Sequence, residues 1–205
     1  MLRKDINELL TRTGPGTAMG ELFRQYWIPA MLAEELPETD CPPVRVKLLS
    51  ERLVAFRDSE GRYGLVDEFC AHRGASLWFG RNEEGGLRCP YHGWKYDVSG
   101  QCVDVPSEAD NSSFCQNVKL TSYPLVKIGD VLWTYMGDAA TQPPLPEFEW
   151  THVPAEQTYT SSAGSSATGS RRSRAASTPA MSPSSTRAAS RPTRSSRARR
   201  ATSTT

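Results

Sequence analysis

Between residues 70 and 92 the chain carries two short clips, Cys70-Ala-His72 and Cys89-Pro-Tyr-His92, with sixteen residues between them. Two thiolate sulfurs and two imidazoles form a four-ligand set that can hold one zinc ion or a two-iron, two-sulfur cluster. Zinc fingers usually pair Cys with Cys and His with His. Here each clip mixes the two types, and Cys-x-His is tighter than the usual finger. A mixed clip lets each loop give one ligand to each of two irons, which favours the cluster. His72 is followed by Arg73-Gly74 and His92 by Gly93-Trp94. Glycine just after a ligand lets the backbone turn tightly and aim N–H groups at bridging sulfides. Pro90 stiffens the second clip. The chain has three His, and two of them fall in this pattern, so chance spacing explains it poorly. Zinc in the same ligands is the rival reading.

Cys70-Ala-His72-Arg-Gly-Ala and Cys89-Pro-Tyr-His92-Gly-Trp-Lys-Tyr-Asp resemble the Rieske domain of the aromatic-ring-hydroxylating oxygenases, in the large (alpha) subunit of the phthalate 4,5-dioxygenase type. The likeness runs from about Asn7 to about Trp150. One departure is Ala71, where many relatives have Pro; it lies between ligands and removes neither. The resemblance implies a Rieske-type [2Fe-2S] cluster with Cys70 and Cys89 on one iron and His72 and His92 on the other. Arg73, Gly74, Tyr91, Gly93, Trp94 and Tyr96 then surround the ligands. The respiratory branch resembles C-x-H-x-G-C and C-P-C-H-G-S, with a loop disulfide and a Ser hydroxyl bonded to sulfide. Ala75, Tyr91 and Trp94 stand at those positions here, so neither feature can form. Tyr96 matches the place of a Tyr donor. Fewer donors to the sulfurs stabilise the reduced state less, which sets the potential at roughly −150 mV rather than +300 mV. That suits electrons arriving from NADH, not from quinol.

The formal net charge of +1 hides a split. From Ser161 onward there are nine Arg and no Asp, Glu or Lys. Removing those nine from the 24 Lys and Arg leaves 15 against 23 Asp and Glu, an acidic body of net −8. Besides the two clip residues, Cys41, Cys102 and Cys115 are irregularly spaced and read as reduced thiols of a cytoplasmic protein, not as a disulfide framework. No apolar run approaches a membrane span, and the N-terminus lacks the apolar stretch of a signal peptide.

Along the chain, residues 5–11 form a weak helical segment, broken by Thr13-Gly-Pro-Gly16. Thr17 can cap a second helix from Ala18 to about Tyr26, with Glu21 in its first turns suited to the N-terminal dipole. Leu22, Phe23, Tyr26 and Trp27 could make one apolar stripe that docks it. Trp27 to Leu32 reads as an extended lead-in. From Val44 the period changes to two: residues 44–48, 53–56 and 63–66 are short strands separated by turn-like segments. Further strands are expected around Leu87, over 94–98, 118–120, 123–128 and 131–135. Short strands with close turns and no crossover helices indicate a mainly β, antiparallel domain, a small sandwich or incomplete barrel. The Rieske fold has this form, with its cluster held at one tip by two loops. The expected organisation is a helical segment 1–28, a Rieske domain 29–138, a Pro-rich linker 139–160 and a tail 161–205.

The tail is Ser, Thr, Ala, Arg and Pro with scarcely an apolar side chain, a composition that cannot offset ordering entropy and is expected to be disordered. An Arg-rich arm for nucleic acid is one reading of it. A frameshift explains it better. Relatives resume with a stretch resembling W-Q-Q-C-N-W; one base later the same codons give Gly164-Ser-Ser-Ala-Thr-Gly169. The family's G-G-I-D and S-H-V likewise shift to residues 175–178 and 180–182.

By resemblance, an NADH-dependent reductase carrying flavin and iron–sulfur groups feeds the cluster. The cluster feeds a mononuclear non-haem Fe(II) on two His and a carboxylate, where an aromatic, phthalate-like acid is hydroxylated. Relatives are commonly trimers, with electrons crossing between subunits. No residue here can be assigned to that second iron, and His152, the spare His, reads as a surface residue; catalytic residues are therefore none. The chain should accept an electron and complete no turnover. The alternatives are a stand-alone Rieske ferredoxin, against which the helical lead-in and the tail argue, and a zinc-binding module. Resequencing the DNA around codon 160 is expected to reveal a one-base shift; an intact frame with no downstream match would reject that origin for the tail.

Overall fold

The structure is a computed structural model that describes residues 3–109 and 113–162. The expectation of a disordered tail falls, from residue 163 on, outside the described residues. Two helices lead in. In α1 (Lys4–Thr11) no residue is buried. Helix α2 (Ala18–Phe23) is capped as expected: the Thr17 hydroxyl accepts from the Gly20 N–H at 3.2 Å, and Glu21 reaches back to the Gly16 N–H at 2.9 Å. The helix ends at Phe23, earlier than the sequence suggested, and the apolar stripe does not form as one. Trp27 is buried and Phe23 half-buried, while Leu22 and Tyr26 stay exposed.

Ten strands follow: β1 (Trp27–Leu32), β2 (Val44–Leu48), β3 (Glu51–Arg57), β4 (Tyr63–Asp67), β5 (Arg81–Glu83), β6 (Gly86–Arg88), β7 (Lys95–Tyr96), β8 (Cys102–Asp104), β9 (Ser122–Ile128) and β10 (Val131–Tyr135). They form a six-stranded sheet in the order β1-β10-β9-β4-β3-β2 and a four-stranded sheet in the order β5-β6-β7-β8. The strand pairs are antiparallel. The architecture is the mainly β one that the short alternating strands implied. Residues 118–120, expected as a strand, contribute one isolated bridge, Lys119 to Gln101.

Strand β3 explains how two cores share one sheet. Successive side chains of a strand point to opposite faces. Leu53 and Ala55 enter one core with Leu65, Leu132 and Leu36, whereas Val54 and Phe56 enter the other with Val66, Leu77 and Leu87. Cys70, Cys89, Trp94 and Tyr96 belong to this second core, which sits beneath both clips. A third cluster holds the far edge: Trp27, Trp133 and Tyr135 pack with Phe148 and Trp150, and the Trp27 indole N–H donates to the Pro143 carbonyl at 3.0 Å. The proline-rich segment after β10 therefore packs on the domain over part of its length.

Phe56 is fully buried directly under the clips. Phe56→Ala is expected to destabilise the domain by about 3–5 kcal/mol, read as a shift in the urea midpoint. A shift below about 1 kcal/mol would show that the core closes over the void and does not carry the clips.

Candidate metal centre

Each clip is a six-residue hairpin, and the two are built alike. In the first, the Cys70 N–H donates to the Ala75 carbonyl at 2.9 Å and the Gly74 N–H donates to the Cys70 carbonyl at 2.9 Å. In the second, the Cys89 N–H donates to Trp94 at 2.8 Å and the Gly93 N–H to Cys89 at 3.1 Å. Cys is first and Gly fifth in both. The histidine is third in one and fourth in the other. Gly74 and Gly93 have φ of +67° and +76°, in the left-handed region that favours glycine.

The roots of the clips are held by opposite charges. Before the first, Glu68 is fully buried. Its Oε1 accepts from the Arg45 Nε at 2.8 Å and the Ser76 hydroxyl at 2.7 Å, and its Oε2 accepts from the Arg52 Nε at 3.0 Å. Burial alone would push this carboxyl up; the hydrogen bonds from Ser76 and Arg52 and the two guanidinium charges outweigh it and hold the group below its ordinary range. Before the second clip the arrangement is inverted. Arg88, nearly buried, donates to Glu83 at 2.6 Å and Asp104 at 2.7 Å, and also to the Gly93 carbonyl inside the clip at 2.8 Å. One buried carboxylate between two arginines fixes one loop, and one nearly buried guanidinium among the carboxylates of Glu83, Asp104 and, at 3.6 Å, Glu84 fixes the other.

The side chains separate by depth. Cys70 and Cys89 are buried. Burial pushes the Cys89 thiol up, the neighbouring Cys70 thiol adds to that push, and the backbone of Tyr91 and His92 acts against it, so an ionised sulfur there needs a cation beside it. The Tyr96 hydroxyl lies 3.2 Å from the Cys70 sulfur, and its own ionisation is pushed up by burial and by that contact. His72 and His92 are exposed, with ring centroids 4.6 Å apart and edge-on. Desolvation, His92 and Arg73 push the His72 imidazole down, toward the neutral form that binds metals. Trp94 stacks on His72 at 4.6 Å with planes 4° apart, and Tyr91 lies 3.8 Å from His92. Arg73 is exposed, and His152 is exposed in a short 3₁₀ turn.

The four candidate ligand residues named from the sequence sit on these two clips, with the sulfurs buried and the rings exposed. Among the described residues, no three His, Cys, Asp or Glu side chains converge closely enough to hold a metal ion as they stand. Sequence reasoning missed the anchors Glu68, Arg45, Arg52, Ser76, Arg88, Glu83 and Asp104. The one available signal was unusual, a carboxylate inside the apolar run that leads into Cys70.

Residues 26–124 match the family described as Rieske [2Fe-2S] domain. The chain is 49% identical over 156 residues to the 3-chlorobenzoate-3,4-dioxygenase oxygenase subunit of Comamonas testosteroni, covering 76% of this chain and 36% of that protein. It is 48% identical over 148 residues to the phthalate 4,5-dioxygenase oxygenase subunit of Pseudomonas putida, covering 72% and 33%. The chain carries the Rieske domain of the aromatic ring-hydroxylating oxygenase alpha subunits, phthalate dioxygenase-like. Among solved structures, dicamba monooxygenase bound to dicamba superposes with a TM-score of 0.59 at 31% identity, over 67% of this chain and 43% of that one. The chain spans about a third of the length of these curated Rieske relatives. The family implies a cluster, an electron-transfer role and a reductase partner. Among the described residues no helix is long and apolar enough to cross a membrane.

The two clip glycines separate conformational strain from crowding. A Cβ on Gly74 would meet nothing within 4 Å, whereas one on Gly93 would lie 3.0 Å from Pro106 Cγ. Gly74→Ala is expected to cost about 1 kcal/mol, from the left-handed backbone alone. Gly93→Ala is expected to cost more and to lower metal retention. Equal effects in urea unfolding and iron analysis would show that the second clip is not braced as described.

Proposed function

We propose that this chain holds the electron-accepting part of a ring-hydroxylating oxygenase, with Cys70, Cys89, His72 and His92 as ligands of a Rieske [2Fe-2S] cluster. The observation that carries the reading is the segregation of the four side chains into a buried sulfur pair and an exposed imidazole pair on two equivalent hairpins. A cluster bound there supplies reversible storage of one electron.

The chain's own residues do the rest. Cys70 and Cys89 offer sulfur from within the second core, where water is excluded. His72 and His92 face solvent, so a proton can reach or leave an imidazole as the charge on the site changes. With Cys70 ionised on a cluster, the Tyr96 hydroxyl 3.2 Å away can only donate to it, and the backbone of Tyr91 and His92 likewise favours an ionised Cys89. These donors favour added negative charge at the sulfurs. Trp94 holds the His72 ring flat on one side and is itself braced edge-on by Phe114 at 5.4 Å. Glu68 and Arg88 fix the loop roots.

By similarity to the subunits that share its sequence, the donor is an NADH-dependent reductase. The acceptor is a mononuclear iron acting on an aromatic acid, in the two thirds of those proteins that this chain does not span. None of the described residues is assigned to that iron.

Two measurements test this. Protein matured with iron and sulfide should hold about two irons and two sulfides per chain, and Cys70→Ala or His92→Ala should lose them; one zinc per chain and no sulfide would leave the zinc-module reading. Tyr96→Phe should assemble normally yet lower the midpoint potential by on the order of 50 mV, the loss of one hydrogen bond to a charged sulfur. An unchanged potential would remove Tyr96 from the donor set.

A further inference from the structure

The solvent side of the first clip is unlike the rest of the body. Arg45 and Lys47 are exposed on one face of β2, the edge strand of the six-stranded sheet, and Lys47 stands directly across from Arg52 on β3. Like charges placed opposite each other destabilise a strand pair. Glu68, buried beneath, pairs with both Arg45 and Arg52 but offsets only one of the three positive charges; among the described residues no carboxylate pairs with Lys47. The surface therefore carries a surplus of positive charge on a body of net −8 over its first 160 residues.

Aromatic rings extend this surface. The Arg45 guanidinium lies 4.3 Å from the Trp78 ring and that of Arg52 lies 4.6 Å from Phe69. Phe69, Trp78 and Phe79 are 36%, 39% and 64% exposed. Phe69 directly precedes Cys70 and is bridged to Ser76, so the ledge is continuous with the clip. Charge on an edge strand alone guards against strand addition. That purpose does not call for three solvent-facing rings beneath the guanidiniums.

We propose that the ledge of Arg45, Lys47, Arg52, Phe69, Trp78 and Phe79 is the docking surface for an electron-donor protein that presents a carboxylate-rich face. This rests on the reading of the chain as an electron acceptor. Three cations steer an acidic partner, and the planar guanidiniums and rings give it contact area at little entropic cost. The ledge is small and charged, as transient electron-transfer contacts are, and lacks the broad apolar centre of a permanent dimer. A donor seated there touches the chain segment that leads into Cys70.

The probe is the NADH-dependent reductase of the phthalate 4,5-dioxygenase system, titrated against the full-length, cluster-loaded chain with binding read by interferometry at several salt concentrations. Wild-type affinity is expected to fall as salt rises. The double variant Lys47→Glu/Phe79→Ser should bind about tenfold more weakly at low salt, with unchanged iron content and optical spectrum. Lys127→Glu, at the end of β9 remote from the clips, controls for net charge and should bind within about twofold of wild type. Equal affinity of the double variant and wild type overturns the proposal, as does failure of the wild type to bind. Loss of self-association in the double variant, seen by sedimentation with reductase binding intact, reassigns the ledge to a second copy of the chain and also overturns it. Absence of iron and sulfide from the wild type would instead sink the electron-acceptor reading itself.

Discussion

Two loops of different sequence have to present their ligands to one small volume, and the backbone achieves this by closing both with the same pair of hydrogen bonds. Cys and Gly occupy equivalent places in each hairpin, at positions one and five. Only the histidine differs, by one residue, and that offset lets the two rings meet edge-on instead of occupying equivalent places. Each hairpin leaves a strand in the second core, so the sulfurs are carried inward with the apolar side chains and the imidazoles outward. Burial of the cysteines and exposure of the histidines is thus a consequence of where the loops are rooted.

The roots show why the loops hold their shape without a covalent staple. A buried charge is costly alone and tolerable when its hydrogen bonds are filled. Glu68 and Arg88 both satisfy that condition, with the signs exchanged. Their partners sit partly in solvent, so the net gain in stability from each pair is modest. Their value is geometric. The Gly93 contact ties one network into its clip, and the Ser76 contact ties the other to the residue that directly follows its clip. The same guanidiniums that neutralise Glu68 spread over exposed rings, which joins the inner anchor to the outer ledge.

The four candidate residues could be picked out because their pattern is local: two spacings and the glycines that close the turns. The strands with clear alternation were legible too, and residues 131–135 fall as expected. What escaped was non-local or sterically unusual. Strand β5 and strand β8 are three residues each, too short to show a period, and exist through pairing with β6 and β7. The β2–β3 turn is made by Leu49 and Ser50 at positive φ, in a place where sequence rules look for Asn and Gly. Tertiary pairing overrode local preference there. The helix after Thr17 stops at Phe23 because Trp27 is taken into β1 against Tyr135. The anchors of the clips are separated from their partners by up to 23 residues, beyond any local pattern.

The central proposal is that Cys70 and Cys89 would hold one iron of a cluster and His72 and His92 the other. Pulsed EPR of the reduced, cluster-loaded chain labelled with ¹⁵N-histidine tests this most directly. Couplings from two inequivalent histidine nitrogens, lost singly in His72→Cys and His92→Cys, are the result expected. A reduced iron–sulfur signal without histidine nitrogen coupling would contradict the account.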